Sequence, residues 1–189
     1  MALPPQKPTA KPAARPGAPK APARVPPKGK PTTLPEKVDA VIHKEMTFAE
    51  AMGLTRTEAY GLAFTAHRLF EHGQVARAKA ILEGLIVANP KDGYFPTLLG
   101  AIAGREGDDD EALRLYTRGV KLDPKNLIAR VNRADLLLRR GDLATALEDL
   151  VQATRLDPTG KTPHGKRALA LARSTSQALH ALLASRRGR

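Results

Sequence analysis

The chain has 189 residues, a hydrophobic fraction of 42% and no cysteine, which allows one folded core and excludes disulfides, thiolate metal sites and a cysteine nucleophile. Only 4% of residues are aromatic, so the core is built from Leu, Ala, Val and Ile. The formal charge of +12 is unevenly placed: residues 1–35 and 161–189 each hold seven Lys/Arg and no acid, leaving 17 basic against 19 acidic residues between them. The middle of the chain is near neutral and the ends are basic. No apolar run approaches the roughly 20 residues of a membrane-spanning helix. No continuous apolar stretch follows the N-terminal basic residues either, so no secretory signal is expected. The chain is expected to remain in the cytoplasm, a setting that the absence of cysteine suits.

Residues 1–35 contain eleven of the 16 prolines, interleaved with Ala, Lys and Arg. Proline at that density removes backbone donors and fixes φ, so an extended, disordered basic arm is expected. Such an arm has the charge for weak, salt-dependent contact with nucleic acid or an acidic surface, but no aromatic is interleaved for base stacking. Residues 36–56 form a helical segment, with Val38, Val41, Ile42, Phe48, Ala49 and Met52 at helical spacing. The pairs Thr47 with Glu50 and Thr55 with Glu58 have the spacing of capping boxes and mark helix starts.

From residue 57 a fixed period appears. Gly73, Gly107 and Gly141 are 34 residues apart; so are Ala78, Ala112 and Ala146, and so are Pro90, Pro124 and Pro158. One period kept by three residue types signals a stacked repeat, with units at about 57–92, 93–126 and 127–160. Each glycine ends the first helix of a hairpin in a left-handed conformation. Each alanine sits where the two helices cross, and each proline stops the second helix. Asp92 and Asn126 are expected to cap the helices that follow. Residues 161–185 carry Ala168, Leu169, Leu171, Ala172, Leu179, Leu182 and Leu183, a terminal helix covering the last hairpin. Residues 186–189 follow as a basic tail.

No catalytic constellation is visible, and neither enzymatic activity nor a cofactor is expected. The acidic run Asp108-Asp109-Asp110-Glu111 lacks calcium-loop spacing and reads as a helix start. His43, His67, His72, His164 and His180 form no helical metal-ligand pair. There is no G-x-S-x-G elbow, phosphate-binding loop or dinucleotide fingerprint.

The repeats resemble the tetratricopeptide family. The second reads Leu99-Gly100, Gly107, Ala112, Tyr116 and Leu122-Asp123-Pro124; the third keeps Ala134, Gly141, Ala146, Leu150, Ala153 and Leu156-Asp157-Pro158. The first keeps Gly73, Ala78, Leu82 and Asn89-Pro90, with Thr65-Ala66 in place of the usual Leu-Gly. The resemblance implies an all-α, right-handed solenoid of three helical hairpins over about residues 57–160. In that family, positions 2, 5, 9, 12 and 13 of each repeat face a concave groove. Here these are Tyr60, Ala63, His67, Phe70 and Glu71; then Tyr94, Thr97, Ala101, Gly104 and Arg105; then Ile128, Val131, Asp135, Leu138 and Arg139. The set lacks a dense Lys/Arg-Asn clamp for a chain-terminal carboxylate and suits an extended peptide with apolar or proline anchors.

Leu62-Ala63-Phe64, Gly73, Ala78, Pro90-Lys91-Asp92, Tyr94-Phe95 and Leu99-Gly100-Ala101 are similar to the tetratricopeptide chaperones of type III secretion translocators. That likeness implies a cytoplasmic chaperone holding a client segment in the groove, with dimerisation through residues 37–54. The alternative is a scaffold of a multiprotein complex, tethered by its basic tails to nucleic acid or an acidic surface.

Overall fold

The computed structural model describes residues 30–187, so most of the expected proline-rich arm lies outside the described residues. Those described form helices and no strand: α1 (Leu34–Ile42), α2 (Phe48–Ala51), α3 (Arg56–Glu71), α4 (Val75–Ala88), α5 (Tyr94–Glu106), α6 (Asp109–Leu122), α7 (Leu127–Arg139), α8 (Leu143–Leu156) and α9 (Pro163–Arg187). Helix α1 begins inside the segment expected to be an extended arm. Pro35 stands in its first turn, where the missing N–H has no intrahelical role, and the Glu36 carboxylate accepts from the Thr33 amide at 3.0 Å.

Three hairpins follow, α3–α4, α5–α6 and α7–α8. The second helices keep the sequence period at both ends, starting at Val75, Asp109 and Leu143 and finishing at Ala88, Leu122 and Leu156. Gly73, Gly107 and Gly141 have φ of 75°, 85° and 80°, the left-handed region that costs least for glycine. Ala78, Ala112 and Ala146 are fully buried at the helix crossings. Asp108 caps α6 by accepting from the Glu111 amide at 3.1 Å, and Asn126 caps α7 by accepting from the Ala129 amide at 3.0 Å. Asp92 differs: its carboxylate accepts from the Tyr94 amide at 2.9 Å, because Gly93 intervenes before α5 begins.

The core runs continuously through the first two hairpins and into the third, with Leu82, Phe95, Leu99, Leu115 and Leu136 buried in it. Each such side chain contributes about 1.5–3 kcal/mol on removal from water. The third hairpin adds a polar layer. Asp149 on α8 accepts from Arg130 Nη1 at 2.8 Å, Arg133 Nε at 2.6 Å and Arg133 Nη2 at 2.9 Å.

Helix α9 closes the far end. Ala168 is buried with Val131 and Ala153, and Leu127 and Leu171 pack against them. The helix continues to Arg187, so Arg186 and Arg187 are helical rather than part of a separate tail. At the near end, among the described helices, α1 packs on α2 alone and α2 packs on α4. Leu34, Val38, Ile42, Phe48 and Met52 are left exposed there, Leu34 at 72%.

Candidate protein-binding groove

The first helices of the hairpins, α3, α5 and α7, line a concave surface made of adjoining hollows. At its mouth Tyr60 and Tyr94 stack with centroids 5.1 Å apart and ring planes 9° from parallel. The Tyr60 hydroxyl donates to the Asp92 carboxylate at 3.0 Å and accepts from Arg56 Nη2 at 3.2 Å. Burial pushes the Tyr94 phenol above its ordinary pKa, with Tyr60 and Asp92 adding to the shift. Both rings meet the buried Phe95, at 5.5 Å and 6.1 Å, so the tyrosine pair is anchored to the core.

Adjoining it, an apolar hollow of about 290 Å³ is lined by Phe64, Phe70, Tyr94, Leu98 and Ile128, together with His67 and Arg105. Phe64 is 63% exposed. The Arg105 guanidinium lies 4.5 Å over the Phe70 ring and donates to the Glu71 carboxylate at 2.6 Å. Arg105 also borders the next hollow, of about 310 Å³, which is charged and lined by Tyr116, Asn132, Asp135, Arg139, His164 and Arg167. Asp135 accepts from Arg139 at 2.8 Å and from Arg167 at 2.9 Å. Burial pushes the Tyr116 phenol up to about 12, against the opposing pull of Arg167 and Arg139. Burial, and secondarily Arg167, lowers the pKa of His164.

The residues expected in the groove divide by position. Tyr60, His67, Phe70, Tyr94, Ala101, Gly104, Arg105, Ile128, Asp135 and Arg139 line the hollows. Glu71 flanks them through Arg105, and Leu138 is half-buried and lines none of them. Ala63, Thr97 and Val131, the residues at repeat position 5, are fully buried and face the packing between helices. The Thr97 hydroxyl donates to the Gly93 carbonyl at 2.7 Å and accepts from Asn126 Nδ2 at 3.0 Å, which makes it a strut between α5 and α7.

The groove instead takes the next residue of each repeat, Phe64, Leu98 and Asn132. Positions 2, 6, 9 and 13 follow the i, i+4, i+7, i+11 spacing of one helix face, and that spacing is the signal by which they are found in the sequence. His164 and Arg167, from α9, also line the charged hollow and lie outside the repeat pattern. They stand one turn apart on a helix whose offset from α7 departs from 34 residues, so the repeat register does not reach them.

Residues 97–161 match the tetratricopeptide repeat family model. Together with the three stacked hairpins, this match gives the described residues the fold of a tetratricopeptide-type solenoid. The chain is 38% identical over 97 residues to the TPR repeat-containing thioredoxin TTL4 of Arabidopsis thaliana, a match covering 50% of this chain and 14% of that protein. Among solved structures it is similar to the type III secretion translocator chaperone SycD of Yersinia enterocolitica, with a TM-score of 0.55 and 27% identity over 71% of this chain and 97% of that one. SycD in complex with a peptide of the translocator YopD shares the fold, with a TM-score of 0.55 and 24% identity over 66% of this chain and 97% of that one.

Proposed function

We propose that this chain is a cytoplasmic chaperone or adaptor, without enzymatic activity, that holds an extended segment of a client protein in its concave groove. The observation that carries the reading is the row Phe64, Phe70, Leu98 and Ile128, apolar side chains lining one hollow, with Phe64 left 63% exposed. Exposed aromatic surface at the mouth of a preformed groove is the usual anchor for an extended peptide. The layout of a helical segment, three hairpins and a closing helix, together with the likeness to SycD, supports a client of the secretion-translocator kind. Among the described residues no helix is long and apolar enough to cross a membrane.

The test is client co-purification with groove variants. Phe64→Asp places a charge in the apolar hollow at an exposed position, and the pair Tyr60→Ala with Tyr94→Ala removes the aromatic mouth. Both are expected to lose the client while keeping the helical circular dichroism of the parent chain. Undiminished recovery of the client by Phe64→Asp contradicts the groove reading.

A further inference from the structure

We infer that the charged half of the groove is a subsite for a side-chain carboxylate, so that the segment it selects carries Asp or Glu close to its apolar anchor. This deepens the groove-binding reading and rests on it. The charge balance inside the hollow points this way. Three guanidiniums, those of Arg105, Arg139 and Arg167, line it against one carboxylate, that of Asp135.

Two further acids pair with these arginines from outside the hollow. Glu71 meets Arg105 at 2.6 Å with side chains 48% and 63% exposed, and Asp109 meets Arg139 at 3.4 Å. Exposed pairs of this kind contribute little net free energy, so an incoming carboxylate competes for the same donors. Asp135 is already shared between Arg139 and Arg167, so the two guanidiniums retain donors it does not use. The arginine fork suits a carboxylate held by two parallel N–H bonds. Asn132 accepts weakly from Arg167 at 3.5 Å through its carbonyl oxygen, and its side chain also hydrogen-bonds the Tyr116 hydroxyl at the same wall of the hollow.

Continuity with the apolar hollow fixes where the acid falls. Ala101, Arg105, Asn132 and His164 border both halves, so a segment anchored among Phe70, Leu98 and Ile128 passes directly to the arginines. Gly104 lines the second hollow, where a Cβ would make only ordinary contact, 3.6 Å from both the Tyr116 hydroxyl and Ala112. The chain's own residues 1–35 carry no acid and do not fit the subsite. On this assignment α9 is a wall of the recognition site as well as the cover of the core.

The experiment enriches a displayed library of random ten-residue segments on the full-length chain, then measures resynthesised, C-terminally amidated peptides by fluorescence anisotropy. Replacing the selected Glu or Asp with Gln or Asn is expected to weaken binding about tenfold, the scale of one charge-assisted hydrogen bond. Arg139→Glu with Arg167→Glu is expected to invert the preference, so that the Lys version of each peptide binds best. Should the double variant fail to fold, Arg167→Gln alone is expected to narrow the Glu-over-Gln ratio. Equal binding of Glu, Gln and Lys versions, with Phe64→Asp still abolishing all of them, overturns the subsite and leaves the groove reading standing. A neutral peptide with a free C-terminus that binds as tightly as the amidated Glu peptide overturns the side-chain assignment. Binding that survives Phe64→Asp overturns the groove reading itself.

Discussion

Asp149 offers the sharpest test of how the third hairpin is held together. Its carboxylate is 1% exposed and is held by two guanidiniums whose side chains are 13% and 14% exposed. In the second hairpin the positions 34 residues earlier are Pro96, Leu99 and Leu115, all buried and apolar. The triad therefore replaces an apolar layer of the same architecture. Asp149→Asn leaves two nearly buried cations without a counter-charge, and breaking a buried pair in this way costs about 3–5 kcal/mol. With a urea m-value of about 2 kcal/mol/M, the midpoint falls by roughly 1.5–2.5 M. Stability in a solenoid is carried between neighbouring repeats, so hydrogen exchange should accelerate first in α7, α8 and α9 while α3 and α4 stay protected. The combined change Arg130→Leu, Arg133→Leu and Asp149→Leu restores the apolar layer and is expected to be neutral or stabilising by about 1–4 kcal/mol. The assay is urea unfolding followed by circular dichroism. A midpoint shift below about 0.5 M for Asp149→Asn, equivalent to about 1 kcal/mol, would refute the reasoning.

Gly119→Ala places a Cβ against the Thr97 hydroxyl, the Gly93 carbonyl and Ala129, and overpacking of this kind costs about 1–3 kcal/mol. Gly61→Ala and Gly84→Ala meet nothing within 4 Å and are expected to stabilise by about 0.5–1 kcal/mol, so thermal melts should move in opposite directions. The exposed row Leu34, Val38, Ile42, Phe48 and Met52 is expected to join two copies; sedimentation should report a dimer that Ile42→Lys with Met52→Lys converts to monomer. Glu36, Glu50 and Glu58 have their carboxyl pKa values lowered. The chief cause is the backbone hydrogen bond from Thr33 for Glu36, the backbone hydrogen bond from Thr47 for Glu50, and the side-chain hydrogen bond from Thr55 for Glu58. Their contribution is therefore complete above the ordinary carboxylate range and is lost as pH falls through the lower folded values. The Thr47 and Thr55 amide resonances should titrate below about pH 4.3, the unperturbed glutamate value, and midpoints at or above it would contradict the capping geometry.

The hairpins are legible in the sequence because Gly, Ala and Pro at a 34-residue spacing each answer a backbone or close-packing demand that few other residues meet. The start of α1 is not. Pro35 continues the composition of the arm, yet a proline in a helix's first turn costs nothing, and Glu36 supplies the capping acceptor. In the groove, reading position 5 for position 6 is a one-residue error, and on a helix one residue is a turn of 100°. That moves Ala63, Thr97 and Val131 into the core and brings Phe64, Leu98 and Asn132 out. Arg130, Arg133 and Asp149 look like surface charges in the sequence, because only the helix crossing reveals that one carboxylate holds both guanidiniums. His164 and Arg167 are hidden differently, since the loop after Pro158 breaks the register that located the other groove residues.

Site-specific photo-crosslinking tests the central claim most directly. A benzophenone analogue of phenylalanine replaces Phe64, which lines the apolar hollow, or Val87 on the outer helix α4, which is 71% exposed. With the full chain in its own cell, irradiation should join the client to position 64 and leave position 87 unlinked. Equal capture at both positions, or capture at position 87 alone, would contradict binding in the concave groove.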